Sequence, residues 1–261
     1  MNYITTNHQG GLCNVLFKLS ATISLAIDNK VDYIFSKEFI RWGYDPDYER
    51  YKTNILRNVD FIDVLPETYI TYNEPNFSYN EINYTIGTNL LLSGYYQSEK
   101  YFKNNKDVIL NLFEPTKEII NHIKEKIPKI ENYISIHVRR GDYLNLPNFH
   151  PQQDMKYYTD AIDFFGRDNH FIIFSDDLDY VKMAFDFLPK KTFTNLGEDY
   201  LDLYAISLCQ HHIISNSTFG WWGSYLNTKK DKKIISPLKW FGPNLSYHNT
   251  SDLIPEEWIR M

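Results

Sequence analysis

The feature that most limits how this chain can fold is the alternation of short apolar runs with helical patterns through its second half. Tyr133 to Val138 reads as a strand, Asp154 to Phe165 as a helix and His170 to Phe174 as an apolar strand. Leu178 to Phe187 follows as a helix, Thr192 to Thr194 as a short strand, and Asp199 to Cys209 as a helix with Leu201 and Tyr204/Ala205 facing Leu208. His212 to Ile214 is then a strand, Gly220 to Asn227 starts a helix, and Lys233 to Ser236 is the last strand. Strands and helices alternating at this spacing predict an α/β fold whose C-terminal half is a parallel sheet with helices on both faces.

The first half opens in the same way. Tyr3 to Thr6 reads as a strand, Gly10-Gly11 as a glycine turn, and Val15 to Asn29 as a helix with Leu16, Leu19, Ile23 and Ala26 or Ile27 on one face. Tyr33 to Phe35 completes a βαβ opening. From about Ser36 to Tyr84 the pattern is irregular, rich in Tyr, Asn and Pro, and Asn89 to Ser93 resembles another strand. Helical patterns cover Lys100 to Phe113 and Thr116 to Ile127, with Pro115 near a helix start, where its missing N–H costs little. The domain crossing is placed here, giving an N-terminal lobe over 1–114 and a C-terminal lobe over 115–261.

Composition narrows the class. With 261 residues, 43% of them hydrophobic and 16% aromatic, the chain can bury one large core or two smaller ones. A net charge of −6 argues against a nucleic-acid or polybasic membrane partner, so any site for an anion must be local. Two cysteines, Cys13 and Cys209, form no CxxC pattern and read as reduced, buried thiols in a reducing compartment. No uninterrupted apolar run reaches the ~18 residues of a membrane span. The start Met1-Asn2-Tyr3-Ile4-Thr5 lacks the basic and apolar regions of a signal peptide. The expected setting is a cytoplasm, bacterial or that of a virus-infected host cell.

Ligands of open parallel sheets bind outside the carboxyl ends of the strands. After Val138 come Arg139-Arg140-Gly141-Asp142-Tyr143, after Phe174 come Ser175-Asp176-Asp177, and after Ile214 come Ser215-Asn216-Ser217-Thr218-Phe219-Gly220. Two guanidiniums, two carboxylates and a helix start with small polar side chains suit a nucleotide diphosphate sugar. Arginine forks match phosphate oxygens, a helix N-terminus supplies free N–H groups, and carboxylates accept from ribose hydroxyls or a guanine edge. Each piece has a plainer use. The arginine pair can be a surface charge cluster, with one member bonded to Asp142 or to backbone. Ser175-Asp176-Asp177 and Asn216-Ser217-Thr218 can be helix caps. His137 can be a satisfied buried histidine, and Trp221 and Trp222 can be core. The shared position at strand ends lifts the set above its parts. Asp177-Leu178-Asp179 spells the D-x-D pair that holds a metal in some glycosyltransferases. Because Arg139 offers the charge a metal would supply, no metal is expected.

Those residues resemble a known family. His137-Val138-Arg139-Arg140-Gly141-Asp142-Tyr143 matches the H-x-R-R-G-D-Y motif of the α-1,2-fucosyltransferases, which is shared more loosely with α-1,6- and protein O-fucosyltransferases. Gly94-Tyr95-Tyr96-Gln97-Ser98-Glu99-Lys100-Tyr101-Phe102, Phe174-Ser175-Asp176-Asp177, Ile214-Ser215-Asn216-Ser217-Thr218-Phe219-Gly220-Trp221-Trp222-Gly223 and Ile254-Pro255-Glu256-Glu257-Trp258-Ile259 are similar to its other segments, in order. The chain departs at the front. The family shows G-G-L-G-N-Q-M-F, where Gly10-Gly11-Leu12-Cys13-Asn14-Val15-Leu16-Phe17 stands here. Cysteine tolerates glycine-only backbone conformations poorly, so the departure bears on acceptor-side geometry.

The resemblance implies two facing Rossmann-like domains of the GT-B type, with the donor GDP-fucose on the C-terminal lobe and the acceptor largely on the N-terminal lobe. It implies an inverting transfer without an essential metal, to the 2-hydroxyl of a terminal β-galactoside on a glycan. By resemblance Arg139 is the catalytic residue stabilising the leaving diphosphate, and Ser217, Thr218 and Phe219, with Asn216, cradle the β-phosphate. His137 and Asp176 belong to the nucleoside end or shape that pocket. Arg140 joins the donor site, where Asp142 and Asp177 bind donor or hold the loops, and Gly11 and Asn14 approach the donor from the other lobe. His8 and Glu99 are the candidates for the acceptor-side base. Two rival readings stand beside this one: a transferase of the same fold using another GDP-sugar, and a non-catalytic carbohydrate- or nucleotide-sugar-binding protein. An RNA-binding role for the double arginine fits poorly with an acidic chain that lacks an RNP-like motif.

Overall fold

The computed structural model describes residues 2–8, 10–37, 48–65 and 68–261. Of the stretch read as irregular, residues 38–47 and 66–67 lie outside the described residues. The chain divides into two compact units, Met1–Glu114 with His248–Pro255, and Pro115–Tyr247 with Glu256–Met261. The sequence reading placed 248–255 with the C-terminal lobe, and the structure corrects this. The His248 ring meets Phe77 at 5.1 Å, and the Asp252 carboxylate accepts the Tyr79 N–H at 3.1 Å. Asp252 also pairs with Lys100, so side-chain bonds fasten the segment to unit 1.

Unit 1 contains β1 (Tyr3–Thr6), α1 (Leu12–Asn29), β2 (Asp32–Tyr33), β3 (Phe35–Ser36), α2 (Tyr48–Tyr51), β4 (Phe61–Ile62), β5 (Ile70–Asn73), β6 (Leu90–Ser93) and α3 (Lys106–Leu112). Its main sheet is parallel, in the order β2-β1-β6-β5, and β3 pairs with β4 separately. The apolar stripe Leu16, Leu19, Ile23 and Ala26 of α1 is buried, as its spacing predicts. The helix closes on Lys30 in the left-handed region (φ 55°), whose N–H reaches the Ala26 and Ile27 carbonyls. The single helix predicted over 100–113 is broken into two 3-10 turns, Glu99–Tyr101 and Lys103–Asn105, followed by α3. The break falls at Phe102 (φ −140°, ψ 10°), which leaves helical geometry where its ring is fully buried, 6.1 Å from that of Phe17. Strand β5 lies inside the stretch read as irregular. Its side chains are mostly exposed, so it carries no apolar alternation to read.

Unit 2 contains α4 (Lys117–Lys126), β7 (Ile134–Val138), α5 (Met155–Phe165), β8 (Phe171–Ser175), α6 (Leu178–Ala184), β9 (Lys191–Thr194), α7 (Asp199–Leu208), β10 (His211–Ile213), α8 (Thr218–Tyr225), β11 (Ile234–Ser236) and β12 (Ile259–Arg260). Every strand pairing is parallel, in the order β12-β11-β10-β7-β8-β9. The chain starts at β7, adds β8 and β9 on one side, then returns to add β10, β11 and β12 on the other. That is a doubly wound sheet, and its strand order reverses between β7 and β10. Ile134, Ile136, Ile162, Phe171, Ile173, Val181 and Ile213 form the core around it. Each such side chain contributes about 1.5–3 kcal/mol on burial, which offsets the cost of carrying Ser135 and His137 inward on β7. Two boundaries differ from the sequence reading. Helix α6 stops at Ala184 because Phe185 (φ −105°, ψ 17°) turns its ring into the core, and β12 adds an edge strand too short to read from pattern.

Candidate active site

The reversal between β7 and β10 brings the first and third predicted strand ends together, with the end of β8 beside them. Arg139 spans two carboxylates. Its Nη1 lies 2.8 Å from Asp176 Oδ2 and its Nη2 lies 2.7 Å from Asp142 Oδ1. The guanidinium carbon sits 5.6 Å from the Tyr143 ring centroid, and the side chain is 36% exposed. Arg140 points differently. Its Nε donates to Asp177 at 2.9 Å, Nη1 donates to Gln152 Oε1 at 2.5 Å, and its guanidinium stacks 3.5 Å from the Tyr180 ring centroid. Of the two arginines, Arg140 is the structural one, tied down on three sides.

Asp176 organises this corner. While one oxygen pairs with Arg139, the other accepts the Arg140 backbone N–H at 2.8 Å. Gly141 makes room for it, because a Cβ there would lie 2.5 Å from Asp176 Oδ2. Asp177 is a helix cap as well as an ion-pair partner, accepting the Tyr180 N–H at 3.0 Å to open α6. Hydrogen bonding from Arg140 holds its carboxyl below the usual carboxylate range. Asp179, the other half of the D-x-D pair, is exposed beside Lys182 at 3.9 Å. Among the described residues no group of three or more His, Cys, Asp or Glu is arranged to hold a metal ion.

At the end of β10 the backbone is pinned from below. The Tyr157 hydroxyl donates to the Ile214 carbonyl at 2.6 Å. Asn216 is buried, and its Nδ2 donates to the Pro151 and Trp240 carbonyls at 3.0 and 2.8 Å, whereas its Oδ1 is buried without a hydrogen-bond partner. Ser217 caps α8, its Oγ accepting the Phe219 N–H at 3.3 Å, and Thr218 opens the helix half-buried. The N-terminal turn of α8 therefore presents N–H groups and a partial positive charge at the switch point. Tyr143 joins the two strand ends: it sits against Arg139, and its hydroxyl donates to the Asn216 carbonyl at 3.0 Å.

His137 lies beneath this surface, 5% exposed, with Nδ1 3.0 Å from Ser215 Oγ and its ring 5.3 Å from that of Phe219. Burial, with the Arg139 charge adding to it, pushes its pKa down to about 3. The ring is neutral at physiological pH and shapes the site from below. Gly220 lets α8 close on it, because a Cβ there would lie 2.9 Å from His137 Nδ1. Trp221 and Trp222 are fully buried and belong to the core.

The remaining candidates lie in unit 1. Gly10 takes φ 91° in the glycine turn, and Gly11 is the extended residue that precedes α1. Asn14 Oδ1 accepts from Gln97 Nε2 at 2.9 Å. His8 is buried between Phe61 and Phe35, burial pushes its pKa down to about 3, and its Nε2 is buried without a partner. Glu99 is buried too, with Oε1 3.4 Å from Lys103 Nζ and a partnerless Oε2. The concern raised by Cys13 does not materialise. Cys13 and Val15 lie buried in the first turn of α1, and neither is among the residues with positive φ, so cysteine meets no glycine-only conformation there.

Gln152 and Tyr180 grip the site residues but escaped the sequence reading, and Ser215 was named in the third strand-end run without a role. Gln152 follows a loop with no periodicity, and Tyr180 looks like an ordinary helix residue. Tyr143 was visible inside the motif, although not its bond across to Asn216.

A doubly wound sheet bearing an arginine fork and a helix start at its switch point, with a second parallel α/β unit in the same chain, defines a GT-B-type glycosyltransferase. The model of glycosyl transferase family 11 matches residues 47–261, and the chain belongs to that family. It is 34% identical over 197 residues to the O-antigen biosynthesis glycosyltransferase WbnK of Escherichia coli, covering 70% of this chain and 64% of that protein. An alpha-1,2-colitosyltransferase of Escherichia coli is 30% identical over 193 residues, covering 69% and 66%. Human galactoside alpha-(1,2)-fucosyltransferase 1 is 27% identical over 164 residues, covering 52% and 43%. The chain thus spans less than two thirds of the length of these relatives. Among solved structures, fucosyltransferase NodZ from Bradyrhizobium superposes with a TM-score of 0.57 at 13% identity, covering 85% of this chain and 91% of that one. POFUT1 in complex with GDP gives 0.52 at 10% identity, covering 90% and 97%. Both likenesses are of fold. Among the described residues no helix is long and apolar enough to cross a membrane.

Proposed function

We propose that this chain transfers L-fucose from GDP-fucose, with inversion, to the 2-hydroxyl of a terminal β-galactoside. The observation that carries the proposal is the convergence of Arg139 with the start of α8 at the β7/β10 switch point, joined through Tyr143. Family membership supports it, as do relatives named for α-1,2 transfer and fold neighbours crystallised with GDP or soaked with GDP-fucose.

As the bond between fucose C1 and the β-phosphate oxygen breaks, negative charge grows on the departing GDP while the sugar becomes oxocarbenium-like. The acceptor oxygen closes on C1 from the opposite face and its proton leaves to a base. Arg139 carries the fixed charge that stabilises the departing diphosphate, Ser217 and Thr218 offer it hydroxyl donors, and the Phe219 N–H joins them by exchanging its long 3.3 Å bond to Ser217 Oγ for a phosphate oxygen. To bind the phosphates Arg139 exchanges a carboxylate contact for theirs. Asp142, the more exposed partner, is the one released, because Asp176 is also anchored to the Arg140 N–H. Asp176, Asp177, Arg140, Tyr143 and His137 hold the fork and helix in register, and no metal ion takes part. Two relatives from Escherichia coli support a bacterial setting.

The relative that transfers colitose favours a second reading in which the donor sugar is a close analogue of fucose. Colitose lacks one hydroxyl of fucose, and a site built to bond that hydroxyl discriminates by about 10⁴–10⁵, whereas one that merely accommodates it discriminates weakly. The deciding experiment incubates the protein with GDP-fucose, and separately with GDP-colitose and GDP-mannose, against a galactoside panel with and without EDTA. Mass spectrometry and linkage analysis then identify the products. A fucosylated product linked to the galactose 2-hydroxyl, formed equally with EDTA, is expected. Release of GDP with no glycosylated product, or another linkage, would refute the proposal.

A further inference from the structure

The carboxyl ends of the unit 1 strands carry a second polar cluster that the donor site does not use. Glu74 follows β5, and its carboxylate accepts the backbone N–H groups of Tyr95 at 2.7 Å and Tyr96 at 3.1 Å. The Tyr101 hydroxyl lies 3.5 Å from its other oxygen. Gly94 makes this approach possible, because a Cβ there would lie 2.4 Å from Glu74 Cβ. The clamp holds Tyr96 at φ 52°, a left-handed conformation that side chains bulkier than asparagine rarely adopt. Reversing the chain at this residue sends neighbouring rings in different directions. That of Tyr96 is fully buried, 5.2 Å from Tyr101 and edge-on to it, whereas Tyr95 remains 43% exposed.

One further strand end and helix α1 meet this segment. Asn7, after β1, donates to Ser93 Oγ at 3.4 Å and accepts from Lys18 Nζ at 3.0 Å. Lys18 is fully buried, and its ammonium lies 5.2 Å from the Tyr95 ring centroid. Beyond Tyr95 the segment is tied to α1 by the bond from Gln97 to Asn14. The cluster thus presents an exposed aromatic ring on a fixed backbone, with an amide and a hydroxyl beside it. Its ammonium and its carboxylate oppose one another in charge. Such a surface suits a neutral polyhydroxylated ring, with the aromatic face against sugar C–H groups and the polar groups against hydroxyls, better than it suits a phosphate.

We propose that this strand-end cluster is the acceptor-sugar subsite, with Tyr95 as the platform for a pyranose face and Glu74 as the positioning residue that sets it. The proposal deepens the transferase reading and rests on it for the identity of the sugar. The test uses the whole chain and two probes, lactose and GDP. Lactose binding is followed by saturation-transfer NMR, GDP binding by calorimetry, and acceptor KM wherever turnover is measurable. Tyr95→Ala should weaken lactose binding and raise acceptor KM by about three- to tenfold, the loss of an aromatic contact, and Tyr95→Phe should restore both. Glu74→Ala should match Tyr95→Ala. Glu74→Gln should recover most of the loss, because one amide oxygen can keep both backbone N–H groups. GDP affinity should be unchanged in all four variants.

Lactose binding by Tyr95→Ala at the wild-type level would overturn the proposal. So would a parallel loss of GDP and lactose binding in Glu74→Ala, or no binding of lactose to the wild type. Wild-type protein that binds lactose through Tyr95 but does not bind GDP would uphold the subsite and sink the donor reading instead.

Discussion

Replacing Arg139 by lysine keeps the charge and removes the fork, so it separates the two things this residue does. Its two terminal nitrogens reach different carboxylates, Asp176 at 2.8 Å and Asp142 at 2.7 Å, in a span that one ammonium cannot reproduce. The stability cost is small. Both pairs are partly exposed and each contributes about 0.2–1 kcal/mol. Because lysine can keep one of them, Tm should fall by no more than about 2–4 °C. The catalytic cost is large. A lost charge-matched donor at a departing oxyanion costs about 10²–10³ in rate, or about 2.7–4 kcal/mol. GDP binds in the ground state, where a point charge is nearly as good as a fork, so its affinity should change by less than about tenfold. The assay is kcat with GDP-fucose and a galactoside, beside calorimetry with GDP and a thermal melt of the same protein. A kcat within about threefold of wild type would refute the assignment of transition-state stabilisation to Arg139.

Gly141→Ala should displace the Asp176 carboxylate, because its Cβ would lie 2.5 Å from Oδ2. The value of kcat should fall about tenfold or more while far-UV circular dichroism is preserved, and an unchanged kcat would show that Asp176 does not position the fork. Stability should decline as pH drops from about 7 towards 5. His8 and His137 have folded pKa values near 3 and His212 lies well below its usual value, each lowered first by burial, so the unfolded chain takes up protons below pH 6.5 and the folded chain does not. Asp202 works the other way. Burial raises its pKa to about 6, so it favours the folded state as pH falls from 6 towards 4 and penalises it above 6. Asp202→Asn should therefore raise Tm at pH 7.5 and steepen the acid decline, and a pH-independent Tm difference between the two proteins would contradict this. Finally, Cys13 and Cys209 are both buried, and burial pushes the Cys209 thiol up. Neither should react with maleimide in the native protein and both should after denaturation, and rapid native labelling would show that α1 or α7 opens.

Much of this was open to reading because it is local. Apolar runs of strand length between helical patterns announce a parallel sheet, and the carboxyl ends of its strands are where ligands bind, so Arg139, Asp176 and Ser217 could be singled out before any coordinates. Capping is local too, and Asp177 and Ser217 behave as their neighbours suggest. Residues with two possible duties were not resolved in this way. Whether Arg139 or Arg140 is the exposed fork depends on Gln152 and Tyr180, which come from a loop and a helix 12 and more residues away. The broken helix over 100–113 has a similar cause: the burial of Phe102 outweighs a helical pattern that continues past it.

The amino-acid order alone settles the class of fold and the chemical character of each strand end, because periodicity and capping act over a few residues. Only the folded chain decides which ends meet. The return from β9 to the far side of β7 sets Ile213 opposite Ile136, and the bond from the Tyr95 N–H to the Glu74 carboxylate joins residues 21 apart in sequence. Such contacts are chosen by sheet order and burial across the whole unit, which no local window of sequence contains.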